Sequence, residues 1–283
     1  MSTDHQPGSS LRRWIPFISA ATLAGAVALL SGHAQALPAS PALPPANSGF
    51  DYQIGGAYTP PDGVQVVSRD HGDSPAPGLY NICYINAFQT QPGERDEWPS
   101  DLILKDSDGK DAEDPDWPGE YALDLATPEK RSAVAERIGG LIDTCASKGF
   151  DAPEPDNYDT FTRFDGLTAE HAKAYMSLLV DRAHARDLAI AQKNTVELAA
   201  DARSLGIDFA VVEECGVTWP GSDGPECSAY EEAFGDLVLD VEYTEEGFEA
   251  ACSGWSGRFG IVQRDVDVST PGSGDYVRRT CED

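Results

Sequence analysis

Positive charge is scarce in this chain: 20 Lys and Arg stand against 48 Asp and Glu, a formal net charge of -28 over 283 residues. Such a surface repels nucleic acid and anionic membranes, which excludes them as partners, and it attracts a cationic polymer. Histidine is sparse as well. Beyond residue 36 only His71, His171 and His184 remain, too scattered for a His-ligated metal site or a triad, and the latter two fall at surface positions of one helical pattern. No G-x-S-x-G elbow, no H-E-x-x-H and no strand-following G-x-G-x-x-G occurs, which removes the hydrolase elbow, the zinc-protease helix and the dinucleotide fold. None of the cysteine spacings is C-x-x-C, which counts against zinc ribbons and thioredoxin-like redox chemistry. No metal and no cofactor is expected, and no internal repeat is visible.

What is present begins with an export pattern. Arg12-Arg13 precedes an apolar run from Trp14 to Leu30, and Gly32-His-Ala-Gln-Ala36 supplies an A-x-A site, so residues 1–36 read as a signal peptide cleaved after Ala36. The mature protein is then secreted, without stable membrane association, and expected to be a monomer. Residues 37–48 are Pro- and Ala-rich and read as a linker, and residues 49–283 as one domain. All six cysteines lie in that domain, an even number in an exported chain. Cys215 with Cys227 would close a short loop, Cys252 with Cys281 would tie down the C-terminus, and Cys83 is left with Cys145.

Short apolar runs alternate with helical patterns in the manner of a parallel sheet. Eight strands are expected: Phe50 to Ile54, Val64 to Ser68, Leu79 to Ile85, Gly149 to Glu154, Leu188 to Gln192, Phe209 to Glu213, Leu237 to Glu242 and Gly260 to Gln263. Eight strands in a domain of this length fit a single-domain α/β fold, the (β/α)8 TIM barrel, which takes ~250 residues. The clearest helix runs from Thr127, an N-cap followed by Pro128, to Ser147, with Val134, Ile138, Leu141, Ile142 and Cys145 on one face and Gly149 as its stop. A second starts at Thr168 and reaches Ala185, with Ala172, Tyr175, Leu178 and Leu179 inward. Shorter helices are expected near Thr195, Ser228 and Thr244. The acidic segment Asp106 to Asp116 fails the EF-hand spacing, since Gly109 falls too early and no Glu stands at the twelfth place, and it reads as a solvated loop.

Two strands end in carboxylates. Gly149-Phe-Asp-Ala-Pro-Glu-Pro-Asp-Asn-Tyr-Asp159 carries Asp151, Glu154, Asp156 and Asp159, and Phe209-Ala-Val-Val212 stops at Glu213-Glu214-Cys215. Paired carboxyls at strand ends are what acid/base work on a glycosidic bond requires, one to protonate the leaving oxygen and one to attack or stabilise the sugar carbon. In a barrel the working residues project from the C-terminal strand ends. Those ends offer Asn86 and Gln89, Asp156 and Asn157, Lys193 and Asn194, Glu213, Glu242 and Tyr243, and Arg264 and Asp265.

Phe50-Asp-Tyr-Gln-Ile-Gly-Gly56, Cys83-Tyr-Ile-Asn86, Trp117-Pro-Gly-Glu120, Glu154-Pro-Asp-Asn157, Gln192-Lys-Asn194 and Val212-Glu-Glu-Cys215 together resemble glycoside hydrolase family 114, the endo-α-1,4-polygalactosaminidases, in the correct order from about residue 50 to 265. The resemblance implies a TIM barrel acting on α-1,4-linked galactosamine polymers, with Asp156 and Glu213 as the catalytic pair. Glu213 would be the general acid/base and Asp156 the nucleophile or charge stabiliser, or the reverse. Glu154 and Asp151 would tune the pair, and Lys193 would hold a sugar hydroxyl or lower a neighbouring carboxyl's pKa. Tyr52, Gln53, Asn86, Asp151, Glu154, Asn157, Lys193, Asn194, Glu242 and Tyr243 are the expected substrate-binding residues. The polymer, when deacetylated, is a cationic partner suited to the chain's charge. A non-catalytic carbohydrate-binding or cell-surface barrel is the alternative.

Overall fold

A computed structural model describes residues 40–219 and 224–282; the expected signal peptide and the start of the linker lie outside the described residues. Eight parallel strands follow in chain order: β1 (Phe50–Gln53), β2 (Val66–Asp70), β3 (Tyr80–Asn86), β4 (Ala152–Asp156), β5 (Ala191–Lys193), β6 (Phe209–Glu213), β7 (Val238–Glu242) and β8 (Gly260–Arg264). They form two half-sheets, β1 to β4 and β5 to β8, with β4 beside β5 and β1 beside β8. This is the expected TIM-barrel order, with the ladder interrupted at two seams. At the first seam, Pro153 and Pro155 alternate along β4, so one edge of that strand has no N–H donors there, and β4 ladders with β3 alone. At the second, the backbones crowd: a Cβ on Gly260 would stand 2.6 Å from the Ser48 carbonyl oxygen.

Inward-facing residues alternate along each strand. Phe50, Tyr52, Val66, Ile82, Ala152, Ala191, Phe209, Val211, Leu239, Val241 and Val262 fill the barrel. Their outward neighbours, with the inner faces of the helices, make a second and larger apolar layer. Each fully buried side chain of this size stabilises by about 1.5–3 kcal/mol.

The helices are α1 (Pro128–Lys148), α2 (Thr160–Arg163), α3 (Ala169–His184), α4 (Ala202–Leu205), α5 (Cys227–Phe234) and α6 (Glu245–Trp255), with a 3-10 turn over Val196–Asp201. Thr127, Thr168 and Thr244 cap α1, α3 and α6 by accepting from the N–H three residues on, as Thr caps do. Gly149 ends α1 in the left-handed region at φ 91°, where a side chain would be strained. In α1, Val134, Ile138, Ile142 and Cys145 are buried and Leu141 only partly. In α3 the buried stripe is Ala172, Tyr175, Met176, Leu179, Val180 and Ala183. Leu178, expected inward, lies off that stripe and is 36% exposed. His171 and His184 are partly buried, and His184 Nε2 lies 2.9 Å from Asp208 Oδ2.

Two features depart from a regular barrel. The connections after β1 and β2 are loops without helices, whereas the excursion between β3 and α1 is long and folded by isolated bridges, Gln89 with Ala122, Ile103 with Leu123, Lys105 with Asp111 and Glu113 with Tyr121. The acidic segment is therefore not simply solvated: Asp114 is 1% exposed, accepting from Gln89 Nε2 at 2.8 Å and pairing with Arg163 at 2.5 Å. A ninth strand, β9 (Arg278–Thr280), adds antiparallel to β8. It was not foreseen, because three polar residues carry no apolar alternation. The Cys252–Cys281 disulfide anchors it to α6. Cys83–Cys145 and Cys215–Cys227 are also joined, and no cysteine is free. Among the described residues no helix is long and apolar enough to cross a membrane.

Candidate active site

Inward parity at the C-terminal strand ends brings Asp156 from β4, Lys193 from β5, Glu213 from β6 and Tyr243 just past β7 to one place. They line a cavity of about 470 Å³, with Tyr84, Asn157 and Asn194. Lys193 is its centre. Its side chain is 1% exposed, and Nζ lies 3.3 Å from Asp156 Oδ1, 3.2 Å from Glu213 Oε2 and 3.3 Å from Glu154 Oε1. It also meets the Tyr52 hydroxyl at 3.0 Å. Burial disfavours the ammonium, but the surrounding carboxylates overcome this and hold its pKa well above the ordinary lysine value.

Each carboxylate has its own set of donors. Asp156 accepts from the Tyr84 hydroxyl at 2.7 Å and the Asn157 N–H at 2.8 Å. Burial would raise its pKa, yet Lys193 and these donors together hold it below the usual carboxylate range. Glu213 accepts from Asn194 Nδ2 at 2.9 Å and from the Tyr243 hydroxyl, while its own N–H donates to Asn194 Oδ1 at 2.7 Å. Glu154 lies beneath, fully buried, accepting from Tyr52 and Ser68. Burial pushes its carboxyl up to about 7, with the Asp156 charge adding to this and Lys193 opposing it.

The backbone is strained where the site is built. Asn157, Asn194, Thr195 and Glu214, each just after one of the contributing strands, have φ of 67°, 46°, 65° and 56°. Positive φ in non-glycine residues has a cost that the surrounding structure must hold in place, and it clusters at functional sites. Here it turns the chain sharply enough for the Asn157 N–H to meet Asp156 and the Asn194 side chain to meet Glu213.

The fold and this cavity find counterparts among known proteins. The model of glycoside-hydrolase family GH114 matches residues 31–283. The chain belongs to that family. Two solved structures share the fold. The Aspergillus fumigatus Ega3 complex with galactosamine is 19% identical with a TM-score of 0.68, covering 86% of this chain and 98% of that one. The glycoside hydrolase domain of PelA from Pseudomonas aeruginosa is 15% identical with a TM-score of 0.53, covering 81% and 98%. No curated protein sequence matches at a significant level. As a GH114 member the protein is a glycoside hydrolase, and the cavity at the strand ends lies where TIM-barrel enzymes work.

Within this GH114 cavity the residues anticipated from sequence separate into three groups. Asp156, Glu213, Asn157, Lys193, Asn194 and Tyr243 line it together. Tyr52 and Glu154 sit directly below, both fully buried, and touch Lys193. Asn86 is 4% exposed and braces the wall, donating to Glu120 Oε2 at 2.7 Å and accepting from Asn157 Nδ2 at 2.9 Å.

Three residues lie elsewhere. Asp151 precedes β4 at the opposite end of the barrel and accepts from the Asn81 N–H, so it is not placed to tune the pair. Gln53 is buried against Asp51 and Arg69. Glu242 faces outward from β7, fully buried, and accepts from the Gly216 N–H at 2.7 Å. Arg264 is also buried, holding the Ser269 and Val277 carbonyls of the loop that carries Val266 and Val268 to the cavity rim. Sequence reasoning missed Tyr84, Trp117, Glu120, Asp159 and Arg163 on the cavity wall. Strand parity in β3 would have found Tyr84, two residues from Ile82 on the inner face.

Proposed function

We propose that this chain is an exported hydrolase that cleaves α-1,4-linked galactosamine polymers, with Asp156 as nucleophile and Glu213 as general acid/base. The observation that carries the mechanism is the single ammonium of Lys193 in contact with both carboxylates. Two oxygens held by one nitrogen at 3.3 and 3.2 Å stand about 5 Å apart when the two donors diverge tetrahedrally, and at most about 6.5 Å. That matches the ~5–5.5 Å of double displacement better than the ~6.5–9.5 Å of a water-inserting mechanism.

Asp156, kept ionised by Lys193, Tyr84 and the Asn157 N–H, attacks the anomeric carbon. Glu213 gives its proton to the departing glycosidic oxygen. A covalent glycosyl ester forms as the C–O bond breaks, and Glu213, now a carboxylate, takes a proton from the water that opens the ester. Tyr243 and Asn194 fix the Glu213 carboxyl throughout. The substrate assignment is supported by the family, by the galactosamine complex of the structurally similar Ega3 and by the net charge of -28, which steers a polycation toward the enzyme. Export is supported by the three disulfides.

The test is incubation with partly deacetylated α-1,4-galactosamine polymer, with product lengths and anomeric configuration followed by NMR. We expect short oligosaccharides with retained configuration. Glu213→Gln should lower turnover by ~10² to 10⁴ while still binding polymer, since the amide keeps the shape without the proton. Binding without cleavage by the wild type would instead identify a non-catalytic carbohydrate-binding barrel.

A further inference from the structure

One tight turn contributes two residues to the cavity wall. Trp117, Pro118, Gly119 and Glu120 form this turn, with the Glu120 N–H donating to the Trp117 carbonyl at 3.1 Å and Gly119 at φ 94°. Proline followed by a glycine at positive φ is the composition of a type II turn, which holds its first and last residues side by side. An indole and a carboxylate are thereby presented together. Trp117 is 52% exposed and lines the cavity together with Glu120.

Among the described residues Glu120 has no cation within salt-bridge distance, and Arg163 acts on it only at longer range. Glu120 Oε2 accepts from the neutral Asn86 amide, and the two cations of the wall are engaged elsewhere: Lys193 with Glu154, Asp156 and Glu213, and Arg163 with Asp114 and Asp159. We propose that Trp117 and Glu120 form the subsite that selects a free amino sugar over its N-acetylated form, the indole stacking on the apolar face of the ring and the carboxylate pairing with the ammonium at C2. This deepens the reading above and rests on its assignment of an aminosugar polymer as substrate.

The chemistry discriminates because only the free amine is charged. An ammonium meeting a half-buried carboxylate gains a charge-assisted hydrogen bond, whereas an acetamide in the same place offers one neutral N–H and adds a bulky group against the wall. Burial pushes the Glu120 carboxyl up to about 7, the Asn86 hydrogen bond and the Arg163 charge opposing this and the Asp156 and Asp114 charges adding to it. Near neutrality the carboxyl is therefore partly protonated, and an arriving ammonium displaces that proton. Binding of the free amine should accordingly release protons between the ordinary glutamate range and about pH 7, and binding of the acetylated sugar should not.

The experiment measures turnover and binding separately on wild type, Glu120→Gln, Glu120→Asp and Trp117→Ala. The probes are α-1,4-linked galactosamine oligosaccharides and their fully N-acetylated counterparts, and calorimetry in buffers of different ionisation enthalpy counts protons. We expect Glu120→Gln to weaken binding of the free-amine oligosaccharide at least tenfold, to leave the acetylated one within twofold and to abolish proton release. Glu120→Asp should restore part of the preference, and Trp117→Ala should weaken both ligands alike. Equal losses on both ligands with Glu120→Gln would show that Glu120 only braces Asn86, and would overturn the proposal. Wild-type turnover with unchanged selectivity in Glu120→Gln sinks the subsite and leaves the hydrolase standing. Amine-selective, Glu120-dependent binding without wild-type turnover does the reverse.

Discussion

Replacing Lys193 with methionine removes one ammonium while nearly conserving volume, and the site's geometry fixes what should follow. Nζ lies 3.2 to 3.3 Å from three carboxylate oxygens, in a place where the lysine side chain is 1% exposed and Asp156 only 19%. A cation at this range lowers a carboxyl pKa by ~1–3 units, or about 1.4 to 4 kcal/mol of preference for the ionised form. In the variant Asp156 keeps its burial and loses its chief counter-charge, so its pKa rises. The acid limb of the kcat/KM profile should move up by about 1–3 units, with a loss approaching ~10- to 1000-fold on that limb.

Stability should change with the same sign. A carboxyl whose folded pKa is depressed stabilises above its unfolded value, and this is lost as pH falls through the folded value. Lys193, whose folded pKa is raised, contributes below its unfolded pKa and loses that contribution only at strongly basic pH. The deficit of Lys193→Met should therefore be largest near neutrality, ~3–5 kcal/mol for an unpaired buried charge, and should shrink toward acid as the stranded carboxyls take up protons. The assay is a pH–rate profile alongside thermal unfolding at several pH values. A folded variant with an unmoved acid limb would refute the claim that Lys193 keeps Asp156 ionised.

Two further outcomes are expected. Removing Cys215–Cys227 by double substitution to serine should cost ~2–4 kcal/mol in denaturant unfolding and lower turnover, because the bridge starts two residues after Glu213; unchanged unfolding would contradict this. Asp240, fully buried beside Glu242, has its pKa pushed well up by burial and the Glu242 charge, while burial raises Glu242 to about 7. Acids with raised folded pKa values lose stability as pH climbs from their unfolded values through the folded ones, so Asp240→Asn should gain on the order of 1–3 kcal/mol relative to wild type at pH 8 and nothing at pH 4; an equal difference at both pH values would exclude the buried pair as the cause.

The strand ends were legible because a parallel barrel strand reads as an apolar run that stops, and the residue after the stop carries the chemistry. That reading locates β6 to the residue and expects Asp156, Lys193 and Glu213 at neighbouring strand ends, where they line one cavity. It failed where side-chain parity, not position, decides. Glu242 ends β7 and Tyr243 follows it, but Leu239 and Val241 occupy the inner face, so Tyr243 continues inward to the cavity while Glu242 turns outward to Gly216. Asp151 was misplaced for a related reason: the strand was expected from Gly149 to Glu154, and it runs from Ala152 to Asp156. The shift of two or three residues moves Asp151 from inside the strand to the position before it, at the far end of the barrel from the cavity.

Trp117 and Glu120 were visible as residues but not as wall, since no periodicity links a turn in an acidic excursion to a strand end more than thirty residues away in sequence. Their position depends on the Asn86–Glu120 hydrogen bond and on the ladder-like bridges that fold the excursion back over β3. Such long-range contacts are set by tertiary packing, which local pattern does not encode. The same division governs the chemistry: each carboxylate of the proposed catalytic pair is announced by its own strand, but what holds Asp156 ionised is an ammonium from a different strand, and only the side-by-side placement of β4, β5 and β6 makes one lysine serve both.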